Sequence, residues 1–158
     1  MKRISYIRNA GQTGVERAAL DAARANDIAI AGWCARGGVT ADFPEAPGIL
    51  ARFPELRETP SRSVAPCLDH NTRDAHATLV IAPIGAPVAP LRQVIEAAEF
   101  YERRILFVSG SDDKNAIRDW VFHLGYGITL HVTGSTEEQF PGAYEAARDL
   151  IALVLSLS

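Results

Sequence analysis

Residues 2–26 read KRISYIRNAGQTGVERAALDAARAN and combine three kinds of local signal in succession. The apolar and aromatic residues of 2–8 favour a short β-strand. The polar, glycine-containing stretch 9–14 breaks that strand. From Val15 to Asn26 small apolar residues recur at helical spacing, which indicates a helix that lies close against a sheet. This stretch predicts a strand, a tight turn and a helix, the opening unit of an α/β fold.

The same alternation continues along the chain, and it predicts the whole fold. We expect a three-layer, Rossmann-like, doubly wound parallel sheet of about five strands in one domain over 1–158, with the first strand at the centre. The further predicted strands are 28–33, 78–82, 105–108 and 128–132. The further predicted helices are 62–75, 87–101, 111–124 and 142–157. Pro66 is expected in the first turn of helix 62–75, and Ser111 or Asp112 is expected to cap helix 111–124.

The segment 34–60 interrupts this alternation with glycine, proline and charged residues. We expect little regular structure there. Long loops inside compact domains are often functional, so the segment is expected to cover the mouth of a ligand site. A tolerated surface insertion is the alternative.

The composition excludes several classes of protein. The chain has 158 residues, 47% of them hydrophobic and 22% charged, with a formal net charge of -3, which is typical of one globular domain. We therefore expect neither a nucleic-acid partner nor a membrane surface as partner. No stretch is apolar enough to span a membrane, and the first residues do not resemble a secretion signal. Two isolated cysteines, Cys34 and Cys67, fit a cytoplasmic protein.

The turn 9–14 is the principal candidate ligand site. Ligands bind beyond the carboxyl ends of parallel strands, and the amino terminus of the following helix favours an anion such as phosphate. The candidate binding residues are Asn9, Gly11, Gln12, Thr13 and Gly14. We expect a side chain at position 14 to block the ligand without disturbing the fold. The turn matches no standard nucleotide fingerprint, and an ordinary turn with Thr13 as helix cap is the alternative.

A second polar group precedes the third predicted strand. Asn71, Arg73 and Asp74 are spaced so that Asn71 and Asp74 share one helical face, and we expect the group to line the same cavity as the turn. Solvated charges at a helix end are the alternative. The four histidines have no metal-ligand spacing, and no activated nucleophile is evident. We therefore expect no metal site.

Five segments of the chain resemble the putative molybdenum carrier family, also described as a circularly permuted branch of the SLOG superfamily. They are AGQTGVERAALDAA (10–23), GWCARG (32–37), FPELRETPS (53–61), NTRDAHATLVIAP (71–83) and TGSTEEQFPGAYEAA (133–147). The family's usual opening is GGQTGVDRAALD, from which this chain departs at Ala10 and Glu16. The resemblance implies a Rossmann-like fold, a phosphate- or nucleotide-containing small-molecule ligand at the glycine loop, and a homo-oligomer, either dimer or tetramer.

Two departures from the family fall near the expected site. Where the family has a second glycine-rich element with Gly-Gly-Thr, this chain has Ile84-Gly85-Ala86-Pro87-Val88-Ala89-Pro90. Cys67 and Leu68 replace an Arg-Thr pair. These changes remove backbone and side-chain donors, so we expect either a ligand different from that of other members or no tight binding at all.

The resemblance implies two alternative functions. The first is a non-catalytic carrier whose ligand is the molybdenum cofactor or a nucleotide. The second is a nucleotide phosphoribohydrolase-like enzyme of the SLOG superfamily, with Glu16 and Arg17 as the acid/base and phosphate-orienting candidates. A subunit that has lost ligand binding is a third reading.

Overall fold

A five-stranded parallel sheet forms the centre of the protein, which a computed structural model describes over residues 2–86, 88–110 and 114–157. The strands are β1 (Ile4–Arg8), β2 (Ala29–Ala31), β5 (Ala77–Ile81), β6 (Arg104–Val108) and β7 (Ile128–Gly134), and a second, two-stranded sheet consists of β3 (Trp33–Cys34) and β4 (Arg57–Glu58). The order in the main sheet is β2-β1-β7-β5-β6.

Helices cover both faces of this sheet. They are α1 (Val15–Ala25), α2 (Ala65–Asp74), α3 (Val88–Phe100), α4 (Lys114–Leu124) and α5 (Ala143–Ser156). Helices α1 and α4 pack on α5, while α2 packs on α3. The predicted three-layer Rossmann-like fold is therefore confirmed. Pro66 lies in the first turn of α2, where its missing N–H has no cost.

Two further sequence predictions concern the helices. The predicted cap of α4 at Ser111 or Asp112 lies outside the described residues. Within the described chain, every helix is too short or too polar to cross a membrane.

The expectation that β1 occupies the centre of the sheet is wrong. Strand β7 is central, and β1 lies between it and the edge strand β2. All five residues of β5 are buried, whereas Tyr6 in β1 is 45% exposed. Right-handed crossovers fix strand direction from a βα alternation, but they leave the order of similar strands undetermined.

The segment 34–60 has more regular structure than the sequence predicted. It contains β4 and two 3-10 turns, Arg36–Gly38 and Gly48–Ala51. Ile49, Phe53 and Leu56 are buried in the main hydrophobic core. A Cβ on Gly11 would lie 3.0 Å from Ile49 and 3.2 Å from Leu56, so the segment covers the turn after β1. That it covers the mouth of a ligand site stays a prediction. Because these residues of the segment 34–60 are part of the core, the segment is not a tolerated surface insertion.

Candidate functional site

The turn 9–14 is held by its own side chains. Asn9 is fully buried, and its amide nitrogen donates to the carbonyl oxygens of Glu16 and Val132, each at 3.0 Å. Its amide oxygen accepts the N–H of Gly11 at 2.9 Å. Asn9 therefore ties the turn to both α1 and β7. Its polar atoms are used for structure and are directed away from solvent.

Gly14 has a structural role that the sequence did not reveal. Its φ is 81°, and a Cβ there would lie 2.3 Å from the carbonyl oxygen of Ser135. The next residue, Val15, donates its N–H to the same oxygen at 3.1 Å. The glycine thus allows two backbone segments to meet. The expectation that a side chain at position 14 would leave the fold intact is wrong.

Thr13 does not cap α1. The N-cap residue is Gly14, and no side-chain hydrogen bond caps the helix. The Thr13 hydroxyl instead donates to Glu138 at 2.6 Å and accepts the N–H of Glu137 at 3.1 Å. It therefore joins the turn to the loop between β7 and α5, and the alternative reading of Thr13 as a cap is also wrong.

The Glu16 carboxylate occupies the position in which the sequence predicts an external anion. One oxygen accepts the N–H of Gln12 at 3.1 Å, and the other accepts the Thr133 hydroxyl at 2.8 Å. Glu16 is only 3% exposed. Burial raises the pKa of Glu16, and the hydrogen bonds from Thr133 and the backbone oppose that rise. The carboxyl group of Glu16 already uses part of the local donor capacity.

Glu16 and Gln12 open onto a cavity of about 380 Å³, which we call the Glu16 cavity. Its polar wall comes from the turn and from the end of β7, while helices α2 and α3 provide apolar residues. The side-chain nitrogen of Gln12 is buried there without a hydrogen-bond partner in the described chain. Among the described residues, no lysine or arginine lines this cavity; the lining consists of Gln12, Glu16, Val64, Ala65, Leu68, Val80, Ala89, Pro90, Leu91, Gln93, Val94, Thr133, Gly134, Thr136 and Gln139.

Arg17 does not accompany Glu16 into this cavity. Its guanidinium donates to the Gly11 carbonyl oxygen at 3.0 and 3.1 Å and forms a two-point ion pair with Asp42 at 2.8 and 3.0 Å. The hydrogen bonds from Arg17 to Asp42, opposed by burial, lower the pKa of Asp42 to about 2. Arg17 therefore fastens the segment 34–60 to α1. The structure separates the two residues that the enzyme alternative pairs.

The side chain of Asn71 holds a strand in place. It is fully buried, accepts the Trp33 N–H at 2.9 Å, and donates to the Trp33 carbonyl oxygen at 3.0 Å. Its oxygen also accepts a hydrogen bond from Arg8 at 3.3 Å. The amide thus pairs with the backbone of β3 as a neighbouring strand would.

Asp74 and Arg73 lie at the other end of α2 from the Glu16 cavity. Arg73 donates to Asp74 at 2.7 and 3.1 Å, and Asp74 also accepts the indole N–H of Trp33 at 2.8 Å. The bond from Arg73 is the largest cause lowering the pKa of Asp74 to about 2. Arg8 lies 3.6 Å from the same carboxylate. These contacts make a charged cluster on the face of the sheet that α2 covers.

This cluster borders a different opening, of about 400 Å³, which we call the Arg8 cleft. Its lining residues are Arg8, Ala31, Gly32, Trp33, Glu55, Arg57 and Asp74. The expectation that Asn71, Arg73 and Asp74 line one cavity with the turn 9–14 is therefore wrong, because α2 directs its two ends to different openings. Ligand binding by either group of residues stays a prediction.

Sequence reasoning missed the contributions of β7 and β1. Thr133 and Gly134 end the central strand and line the Glu16 cavity, although only the turn after β1 was singled out there. Their position after an apolar run was the available signal. Arg8 carried no signal, since one arginine at a strand end is ordinary.

Comparison with known proteins places these features in a family. The model of the circularly permutated YpsA SLOG family matches residues 7–155. The crystal structure, at 1.45 Å resolution, of a putative molybdenum carrier protein from Syntrophus aciditrophicus SB is similar to this chain. The two are 26% identical, with a TM-score of 0.79, and the match covers 98% of this chain and 96% of that chain. No curated protein matches this chain. This chain belongs to the circularly permutated YpsA SLOG family.

Proposed function

We propose that this chain is a molybdenum carrier-like binding protein that holds a flat, nitrogen-rich heterocycle in the Glu16 cavity, as part of a molybdenum cofactor or nucleotide ligand. The observation that carries the proposal is the buried Glu16 carboxylate beside Gln12 in a cavity of about 380 Å³. Cavities of a few hundred Å³ with apolar walls and a few convergent polar groups are typical small-molecule sites.

The carboxylate favours a ligand with N–H donors. An ionised carboxylate has about four acceptor positions; Gln12 and Thr133 occupy two of them, and the backbone of Ala10 takes up part of the rest. A pterin or guanine presents adjacent ring and amino N–H groups, which would donate to the acceptor capacity that is left. The unpartnered Gln12 nitrogen would donate to a ring carbonyl oxygen.

The same carboxylate disfavours a phosphate at this point. Like charges repel strongly where burial lowers the effective dielectric constant. We therefore place the phosphate of the ligand away from Glu16, toward the mouth of the cavity. The aliphatic side chains of α2 and α3, among them Leu68 and Val94, would cover the faces of the ring.

Calorimetric titration tests this proposal with four probes: neopterin, guanosine monophosphate, adenosine monophosphate and molybdate. Neopterin and guanosine monophosphate are expected to bind more tightly than adenosine monophosphate, which lacks the paired donors. Glu16→Gln should weaken their binding about tenfold to a hundredfold, the effect of one charge-assisted hydrogen bond. Glu96→Gln removes a carboxylate from the exposed side of α3 and should bind as the parent does.

Two outcomes contradict the proposal. One is equal binding of the pterin by the parent and the Glu16→Gln protein. The other is tight binding of molybdate alone, since an inorganic anion offers no ring or N–H edge.

One observation favours the enzyme alternative. Burial raises the pKa of Glu16, as general acids in active sites require, and Glu16 faces the cavity. Arg17 is paired with Asp42 and would not take part. Release of ribose 5-phosphate from a nucleoside monophosphate, lost in Glu16→Gln, would support hydrolysis. Binding without turnover would support the carrier.

A further inference from the structure

We propose that the Arg8 cleft is a second ligand site, which binds a phosphate group between the guanidinium groups of Arg8 and Arg57. Both arginines line this cleft, which has a volume of about 400 Å³. The proposal is independent of the function proposed above, because the two openings share no lining residue.

Arg8 is held in position with hydrogen-bonding capacity to spare. One terminal nitrogen, Nη1, lies 3.3 Å from the Asn71 oxygen and 3.6 Å from Asp74. In the described chain, Nη2 makes no hydrogen bond, and Nε is buried without a partner. The side chain is 16% exposed, so its guanidinium is fixed but reachable. A preorganised donor of this kind loses little conformational entropy when an anion binds.

Arg57 approaches the cleft from another strand. It is exposed in β4, where it pairs with Trp33 of β3, and its backbone N–H donates to Gly32 at 2.8 Å. Its guanidinium makes no hydrogen bond or ion pair within the described residues. The backbone pairing therefore brings a second cation to the cleft without a carboxylate to neutralise it.

The two carboxylates of the cleft are already paired. Glu55 accepts hydrogen bonds from Arg24 at 2.6 and 2.9 Å, and Asp74 accepts two from Arg73. Each lining carboxylate therefore has an arginine of its own from outside the cleft. Arg8 shares Asp74 with Arg73, at the longer distance of 3.6 Å, and Arg57 has no carboxylate partner within the described residues, so positive charge remains to face a ligand.

Burial is the largest cause lowering the pKa of Arg8. Attraction to Asp74 is the next largest effect and opposes it, while repulsion from Arg73 and Arg57 lowers the pKa further. An anion between the guanidiniums would relieve this repulsion. Phosphate suits the place because arginine binds it through two parallel N–H groups.

Trp33 provides a direct readout of binding. Trp33 lines the cleft and its indole N–H donates to Asp74, another lining residue, at 2.8 Å. The chain has two tryptophans, the other being Trp120. In a Trp120→Phe protein the fluorescence comes from Trp33 alone. Titration at constant ionic strength with inorganic phosphate, a nucleoside monophosphate and acetate then separates a free phosphate from a phosphate ester and both from a carboxylate.

We expect a saturable fluorescence change with inorganic phosphate, the nucleoside monophosphate, or both. Arg57→Gln should weaken it about tenfold to a hundredfold, the effect of one charge-assisted contact. Arg62→Gln makes the same charge change at an exposed residue outside the cleft, and it should leave the midpoint unchanged. A change that stays linear in phosphate, equal midpoints for the two variants, or an equal response to acetate would overturn the proposal.

Discussion

The Glu16 cavity and the Arg8 cleft flank the same strand-to-helix connection but differ in charge. The Glu16 cavity contains the buried Glu16 carboxylate, and its described lining includes no basic side chain. Arg8, only four residues before Gln12, gives the cleft a guanidinium. The difference shows that a glycine turn at a helix amino terminus need not present all of its backbone donors to a ligand, because a side chain of the same turn and helix can accept them.

The largest expected effect concerns the backbone contact beneath the Glu16 cavity. Gly14→Ala should lower the free energy of unfolding by about 3 kcal/mol, because it adds both a strained φ and a clash with Ser135. Gly142→Ala is the matched control. Its φ is 92°, but a Cβ there meets nothing within 4 Å, so only about 1 kcal/mol should be lost.

Urea denaturation of both variants measures this difference. Equal losses would show that backbone conformation alone requires glycine at position 14. The turn would then be available for the ligand contact that the sequence first suggested.

A smaller effect is expected from His131, which lies beside Arg8 in the sheet. It is fully buried, and burial, followed by the charge of Arg8, lowers its pKa to about 3. The unfolded chain therefore takes up a proton first as the pH falls, so stability is lost from about pH 6.5 downward, toward pH 3. Between pH 7 and pH 5 this loss amounts to about 2 kcal/mol.

His131→Gln isolates this effect, because the opposite contribution of Glu16 is present in both proteins. The raised pKa of Glu16 makes the folded protein bind a proton more readily, so that contribution stabilises the fold as the pH falls. We expect the variant to lose about 2 kcal/mol less than the parent between pH 7 and pH 5 in urea denaturation. Parallel pH profiles would show that the pKa of His131 is not lowered in the folded protein.

The smallest effect is expected at Arg73. Its side chain is exposed and paired with Asp74, so Arg73→Ala should change the free energy of unfolding by less than about 1 kcal/mol. Binding in the Glu16 cavity should not change, since Arg73 does not line it. A tenfold loss of pterin affinity by calorimetry would instead support the sequence-based prediction that Arg73 contacts the ligand.

The sequence by itself determined the class of fold and the position of the first turn. Strand and helix periodicities are local, and right-handed crossovers turn their alternation into a parallel sheet with two helical layers. The motif at 10–23 also indicated the family, which the match over 7–155 establishes. These conclusions required only the order of residues along the chain.

Tertiary structure alone decided which strand is central and which polar groups meet. The order β2-β1-β7-β5-β6 depends on packing between distant segments, and so does the bond from Thr133 to Glu16, 117 residues away. The same holds for Asn71, whose amide pairs with Trp33, 38 residues away. A local pattern records neither the distance between such groups nor their burial, and these two quantities determine whether a polar residue faces a ligand or completes the fold.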